Sequence, residues 1–133
     1  MIKKTITYVD YNGNKRTEDH YFDMSSAELM SKQLSIDGGF DAMLQKIIDA
    51  KDVPALSNLF RELILESYGI KHADGIRFEK SEEISKAFSQ TGAFSVLYME
   101  LLTDSKKAAE FVNGIIPQGL EEQLSKINNG PEK

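Results

Sequence analysis

Acid–base chemistry in this chain would rest on its two histidines. His20 stands beside Asp19 in a charged run, and His72 lies two residues before Asp74. An imidazole next to a carboxylate can move a proton near neutral pH. Neither histidine has a nucleophile or a second ligand at a usable spacing, so both read as surface residues. There is no cysteine. That removes thiolate nucleophiles, thiolate metal sites and disulfides, and it suits a reducing compartment. Asp10-Tyr11-Asn12-Gly13-Asn14 opens like a calcium loop. Such a loop needs glycine at its sixth position, glutamate at its twelfth, and a helix on either side. Lys15 and Tyr21 hold those positions here, between strand-like flanks. A hairpin turn is the better reading. Asp37-Gly38-Gly39 lacks the lysine of a phosphate loop, and Gly75-Ile76-Arg77 is a lone turn. Glu82, Glu83, Glu100, Asp104 and Glu110 are spread over several segments, and Glu82–Lys86 and Lys106–Glu110 fit solvated i,i+4 pairs. No residue is assigned as catalytic, cofactor-binding or metal-ligating, and a binding protein is favoured over an enzyme because the catalytic inventory is missing.

The elements themselves centre on Thr91–Thr103, TGAFSVLYMELLT, where only Ser95 and Glu100 interrupt the apolar residues between Ala93 and Leu102. A helix apolar nearly all round is either buried on most sides or offers a face to another chain. The residues alone leave both readings open. It is too short to span a membrane, and no apolar stretch elsewhere is long enough. The 133 residues suit one domain. The net charge of −5 is poorly suited to neutralising phosphates, so no nucleic-acid partner is expected. The first residues have lysines without an apolar run behind them, so no signal peptide is expected. Five methionines read as adaptable packing residues.

Around that helix the other elements follow from periodicity. Ile2–Val9 and Arg16–Phe22 are rich in β-branched and aromatic types, and Asn12-Gly13 between them predicts a hairpin whose two central residues both have positive φ. The hairpin must lie against the helices or pair with another chain, because an isolated one is marginal in water. A helix begins near Ser25, where Ser25-Ser26-Ala27-Glu28 has capping-box spacing, with Ala27, Met30 and Leu34 as its stripe. Asp37-Gly38-Gly39 stops it. Phe40, Met43, Leu44, Ile47 and Ile48 form a clean amphipathic stripe, and so do Leu56, Leu59, Phe60, Leu63 and Ile64 after Asp52 as cap and Pro54 in the first turn. These two stripes are expected in the core. Gly69 is expected to end the second helix, and Asp74-Gly75 to turn between short extended pieces. Ser81 caps a helix with Ile84, Ala87 and Phe88 inward. After the central helix, Ala108, Phe111 and Val112 face inward until Asn113-Gly114 ends that helix, and Leu120, Leu124 and Ile127 suggest a weak last one. The expectation is an α+β fold, mainly α, with an N-terminal β-hairpin followed by about six short helices packed around a central apolar helix. Residues 1–127 form a single domain, hairpin in 1–24 and helical in 25–127, with 128–133 as a frayed tail.

The run from Tyr68 to Pro117 resembles tail assembly chaperones of long-tailed, siphovirus-type bacteriophages. The pieces that carry the likeness are Asp74-Gly75-Ile76-Arg77-Phe78, Lys80-Ser81-Glu82-Glu83, Phe88-Ser89-Gln90-Thr91, Met99-Glu100-Leu101 and Phe111-Val112-Asn113-Gly114-Ile115-Ile116-Pro117. Ala27-Glu28-Leu29 and the run from Ile47 to Asp52 fit too, so the likeness covers most of residues 1–120. It is a general likeness without a chemically diagnostic motif. The resemblance implies a protein that binds the tape measure protein, keeps that long apolar helical chain soluble, and helps recruit tail tube subunits during tail morphogenesis. It implies work in the host bacterial cytoplasm, absence from the mature virion, no enzyme activity and no cofactor. Its partners would be the tape measure protein, the tail tube protein and possible homo-oligomers, with no nucleic acid and no membrane. The family has no catalytic residues to carry over. Given that role, the apolar surplus of this region points to Phe94, Tyr98, Met99, Phe111, Ile115 and Ile116 as the partner-binding surface. The rival reading is a structural or self-associating tail or assembly subunit with no chaperone role.

Overall fold

The structure is a computed structural model that describes residues 1–115, apart from the side chains of Phe40, Asp41, Leu44, Ile47 and Ile48. The element order is β1 (Ile2–Val9), β2 (Lys15–Phe22), α1 (Ser26–Leu34), α2 (Phe40–Asp49), α3 (Val53–Ser67), β3 (Tyr68–Lys71), β4 (Phe78–Glu79), α4 (Glu82–Ser89), α5 (Gly92–Thr103) and α6 (Ser105–Ile115). The α+β class with an N-terminal antiparallel hairpin is as the periodicities predict. The expected last helix at Leu120–Ile127, Ile116, and the 128–133 tail lie outside the described residues. Within the described residues, no helix is long and apolar enough to cross a membrane.

β1 and β2 pair antiparallel from Ile2 opposite Phe22 to Val9 opposite Lys15. Their turn differs from the expected one. Gly13 has φ +84°, but Asn12 is not in the positive-φ region. Asp10 N–H donates to the Asn14 carbonyl at 2.8 Å, and Gly13 N–H to the Asp10 carbonyl at 3.0 Å. This is a three-residue loop in which one left-handed glycine closes a bulge. The Asp10 carboxylate holds it, accepting from the N–H of Asn12 and of Asn14 at 2.9 Å each.

The sheet has four strands in the order β1-β2-β3-β4: the short extended pieces expected around Asp74-Gly75 are β3 and β4, and they extend the hairpin's sheet. Gly69 does not terminate α3 as a left-handed cap. The chain leaves the helix at Tyr68 in extended conformation, and Gly69 sits inside β3 opposite Tyr21. A Cβ there would lie 2.7 Å from Phe78 Cε2 and 2.8 Å from the Glu79 carbonyl oxygen. The residue is glycine because β4 and its phenylalanine press on it.

The helix starts follow local chemistry. Ser25 and Glu28 form the expected capping box. Asp52 accepts from Ala55 N–H, Ser81 from Ile84 N–H and Thr91 from Phe94 N–H. Packing changes two of the stripes. In α1 the buried residue is Leu29, while Leu34 is 66% exposed. In α4 Phe88 is buried and Ala87 is exposed. Leu59, Leu63 and Ile64 of α3 are core, and Met43 of α2 packs against it. The rest of the α2 stripe falls on side chains outside the description. Asn113-Gly114 does not end α6, which runs on to Ile115. Gly114 instead lets the helix press on β1, since a Cβ there would lie 2.8 Å from Ile2 Cδ1.

Candidate functional site

α5 is the helix that the others surround, touching β1, α3, α4 and α6. Gly92 starts it close against the sheet, where a Cβ would sit 3.1 Å from the Val9 carbonyl oxygen. An ion pair between Lys4 Nζ and Glu100 Oε1 at 2.7 Å ties it to β1. Its inner face, Ala93, Phe94, Leu97 and Leu101, is buried. Its outer face is not. Val96 is 41% exposed, Met99 53% and Leu102 36%. Three apolar residues at spacings of three make a solvent-facing ridge along one helix.

Beside the ridge lies a groove of about 620 Å³ between α3, α5 and α6. Leu56, Phe60 and Leu63 of α3 form one wall, and Ala108, Ala109 and Val112 of α6 the other. Leu101 and Leu102 line it from α5, and Thr103, Ser105 and Asn113 supply polar atoms. Leu102 belongs to both groove and ridge, so the two form one apolar surface. Grooves of this composition take the apolar face of an amphipathic helix. A larger hollow of about 840 Å³ lies among α1, α3 and α4. It is lined by charged groups already paired across it, Lys32 with Glu66 at 2.9 Å and Lys80 with Glu28 at 2.8 Å.

The six residues named from sequence part company. Met99 stands on the ridge. Phe94, Phe111 and Ile115 are buried, at 8%, 1% and 1% exposure, and belong to the core of this conformation. Tyr98 is half-buried, stacked on Phe94 with ring centroids 5.6 Å apart and hydrogen-bonded through its hydroxyl to Ser57. Arg61 covers the other partner of that stack, 5.6 Å from the Phe94 ring centre. Ile116 lies outside the described residues. The residues named from sequence, Ile116 aside, therefore lie on α5 and α6, most of them on the buried sides of those helices. The sequence did not mark Leu56, Phe60, Leu102, Ala109 or Val112 as surface. One signal was present: Ser105, Ala108, Ala109 and Val112 recur at i, i+3, i+4 and i+7, a stripe of small residues that lets another element approach α6 closely.

The groups considered first for chemistry are occupied structurally. His20 is not a surface residue: its side chain is 12% exposed, and its ring lies 5.4 Å from Phe88 and 6.2 Å from Tyr68. The signal was the strand period, because His20 shares the inward face of β2 with buried Phe22. Its buried Nε2 has no hydrogen-bond partner. Burial pushes its pKa down, against the pull of Glu18 and Asp19. Tyr68 stacks on Phe88 at 4.0 Å, and burial raises its phenol. His72 pairs with Glu79 at 3.0 Å on the surface. The Asp10 carboxylate is engaged by Arg16 Nε at 2.7 Å as well as by its own turn; the bond to Arg16, more than those from the backbone, lowers its pKa. Among the described residues, no three histidine or acidic side chains cluster as metal ligands would.

An α+β chain that carries an open apolar groove on its helical side, with its polar groups tied up in structure, has the makings of a protein that binds other chains. The family model described as phage tail assembly chaperone matches residues 1–132, and the chain belongs to that family. No curated protein and no solved structure matches it.

Proposed function

We propose that this chaperone binds apolar helical segments of a tape measure protein on the α3/α5/α6 groove and the Val96–Met99–Leu102 ridge. It keeps that client soluble in the host cytoplasm, helps tail tube subunits assemble around it, and leaves before the virion is complete. The observation that carries the reading is the continuity of groove and ridge through Leu102. A contiguous apolar surface on a soluble chain marks an interaction site. A helical client supplies side chains at i, i+3, i+4 and i+7 to fill it. No proton transfer, metal or cofactor enters. Binding must remain reversible, because tube polymerisation has to strip the client away, and an open groove serves that better than an enclosed cavity.

Co-expression of the cognate tape measure protein with wild type, Met99→Asp and Ala109→Asp tests this. Wild type should hold the client in the soluble fraction. Each variant should lose it while keeping its melting transition. If wild type neither binds nor solubilises the client, the function is wrong. If both variants hold the client as wild type does, the surface is wrong.

The rival reading, a self-associating tail subunit, has one observation in its favour. β1 has β2 on one side and, among the described residues, no strand on the other. An unpaired strand edge is a template for a second chain. Detection of the protein in purified particles would favour that reading over the chaperone.

A further inference from the structure

We propose that the client helix selected here is acidic at both ends of its apolar stripe. One carboxylate meets Arg61, and another, roughly two to three turns away along the client, meets Lys106. The inference rests on the groove and ridge being the client site and names the class of segment that fits them.

The apolar surface is bordered by positive charge at two places. Phe94, Tyr98 and Leu102 follow at i, i+4 and i+8 along α5. That line runs on the α3 side of the helix, since the Tyr98 hydroxyl bonds to Ser57 of α3. Arg61 of α3 stands at its start, with its guanidinium 5.6 Å from the Phe94 ring centre. Leu102, at its other end, belongs to both ridge and groove. Beyond Leu102 the chain turns into α6. Lys106 lies three residues before Ala109 and seven before Asn113, so it shares the side of α6 that carries those two groove residues. From Phe94 to Leu102 is eight helical steps, about 12 Å, and Lys106 lies past that end. The two cations thus bracket the apolar surface lengthwise.

Both are exposed, and among the described residues neither is in an ion pair. The carboxylates nearby are engaged or turned aside. Glu100 holds Lys4 at 2.7 Å and Lys107 at 3.9 Å. Asp104 accepts from the N–H groups of Lys106 and Lys107 at 3.1 Å each. Glu110, one turn beyond Lys106, lies further round α6 from Ala109 than Lys106 does, and Glu62 lies further round α3 from Phe60 than Arg61 does. The whole chain carries a net charge of −5, so an acidic segment is repelled by the molecule at large and attracted at these two positions. The apolar stripe supplies affinity, and the cations select which stripe binds and fix its register. A client with lysines in those places meets like charge and is rejected.

Four labelled helical peptides test this. They share one apolar stripe at i, i+3, i+4 and i+7 and differ in the residues flanking it: glutamine at both ends, glutamate at both, lysine at both, or two glutamates at one end. Fluorescence anisotropy with the full chain reads their affinities. Glutamate at both ends should bind about tenfold tighter than glutamine, and two glutamates at one end about threefold, as exposed ion pairs allow. Lysine at both ends should bind more weakly than glutamine. Arg61→Gln combined with Lys106→Gln should bring the glutamate and glutamine peptides to the same affinity. Should that double variant lower the melting transition, about 1 M sodium chloride with wild type asks the same question and should erase the glutamate advantage. Equal affinities for glutamine, glutamate and lysine peptides overturn the proposal and leave the groove standing as the client site. A glutamate advantage that survives the double variant or the salt overturns the assignment to Arg61 and Lys106. Failure of all four to bind, or binding that Ala109→Asp leaves intact, overturns the client surface itself and this proposal with it.

Discussion

Two surfaces of this molecule face solvent and are built from opposite chemistry. The outer face of the hairpin presents Lys3, Thr5 and Thr7 from β1 against Tyr21, Asp19 and Thr17 from β2, with Val9, 62% exposed, as its aliphatic residue at the turn end. Its residues bond one another: Thr5 Oγ1 donates to Asp19 Oδ1 at 2.6 Å, and the Thr7 and Thr17 hydroxyls meet at 2.9 Å. The outer face of α5 presents Val96, Met99 and Leu102, which make no such bonds. Both elements bury their other side in the same core. The fold therefore accepts a polar exterior where a segment has only a structural task. Apolar side chains on the outside of α5 contribute little to folding, which leaves them free for the binding role proposed above.

That contrast can be broken first from within α5. Leu97→Asp, two residues from Met99 but 1% exposed, should unfold the protein, because it buries a charge with no partner. Far-UV circular dichroism and a denaturant melt read this out. If the variant folds like wild type, the inner and outer faces are wrongly assigned. Next, Leu59→Ala in the core of α3 should cost about 2–5 kcal/mol by denaturant melt. A change under about 0.5 kcal/mol, the usual surface range, would place α3 outside the core.

A smaller effect belongs to the inner face of the hairpin. His20 is held neutral by burial, with Glu18, Asp19, cross-strand Lys4 and the rings of Tyr68 and Phe88 around it. Its folded pKa lies below the unfolded value of about 6.5. The unfolded chain therefore takes up a proton first as pH falls. Stability is full above that value and declines as pH drops through it toward the folded pKa. His20→Phe should flatten that decline in the denaturant midpoint, and an unchanged pH slope would show that the ring is not buried as described.

The smallest expected stability effects sharpen the comparison most. Met99→Asp and Thr7→Lys should each shift stability by no more than about 0.5 kcal/mol. Only Met99→Asp should abolish client solubilisation. If Thr7→Lys abolishes it too, the hairpin's outer face is also a working surface, and the contrast fails.

Much of the fold was legible because its causes are local. Ser25, Asp52 and Ser81 could be recognised as helix caps from the residues that follow them. The β-branched and aromatic residues of Ile2–Val9, with Ile6 and Tyr8 alternating with Thr5, Thr7 and Val9, marked a strand whatever it packs on. The apolar run of Thr91–Thr103 likewise announced a helix with more hydrophobic surface than one contact needs. What tertiary structure alone decided is which side of that helix is covered. Leu97 and Met99 are both apolar, sit two residues apart, and differ only in what other elements bring against them. The same holds for Gly69 and Gly114. Each is a possible helix terminator in sequence, and each is a contact point in the fold, pressed by Phe78 and by Ile2 respectively. Phe111 and Ile115 were misplaced for the same reason: a helix's own sequence shows its stripe, but the neighbours that bury the stripe come from elsewhere in the chain. Sequence determines periodicity and capping through residues three or four apart, whereas burial is a property of distant segments meeting, and that meeting divided α5 into core and open surface.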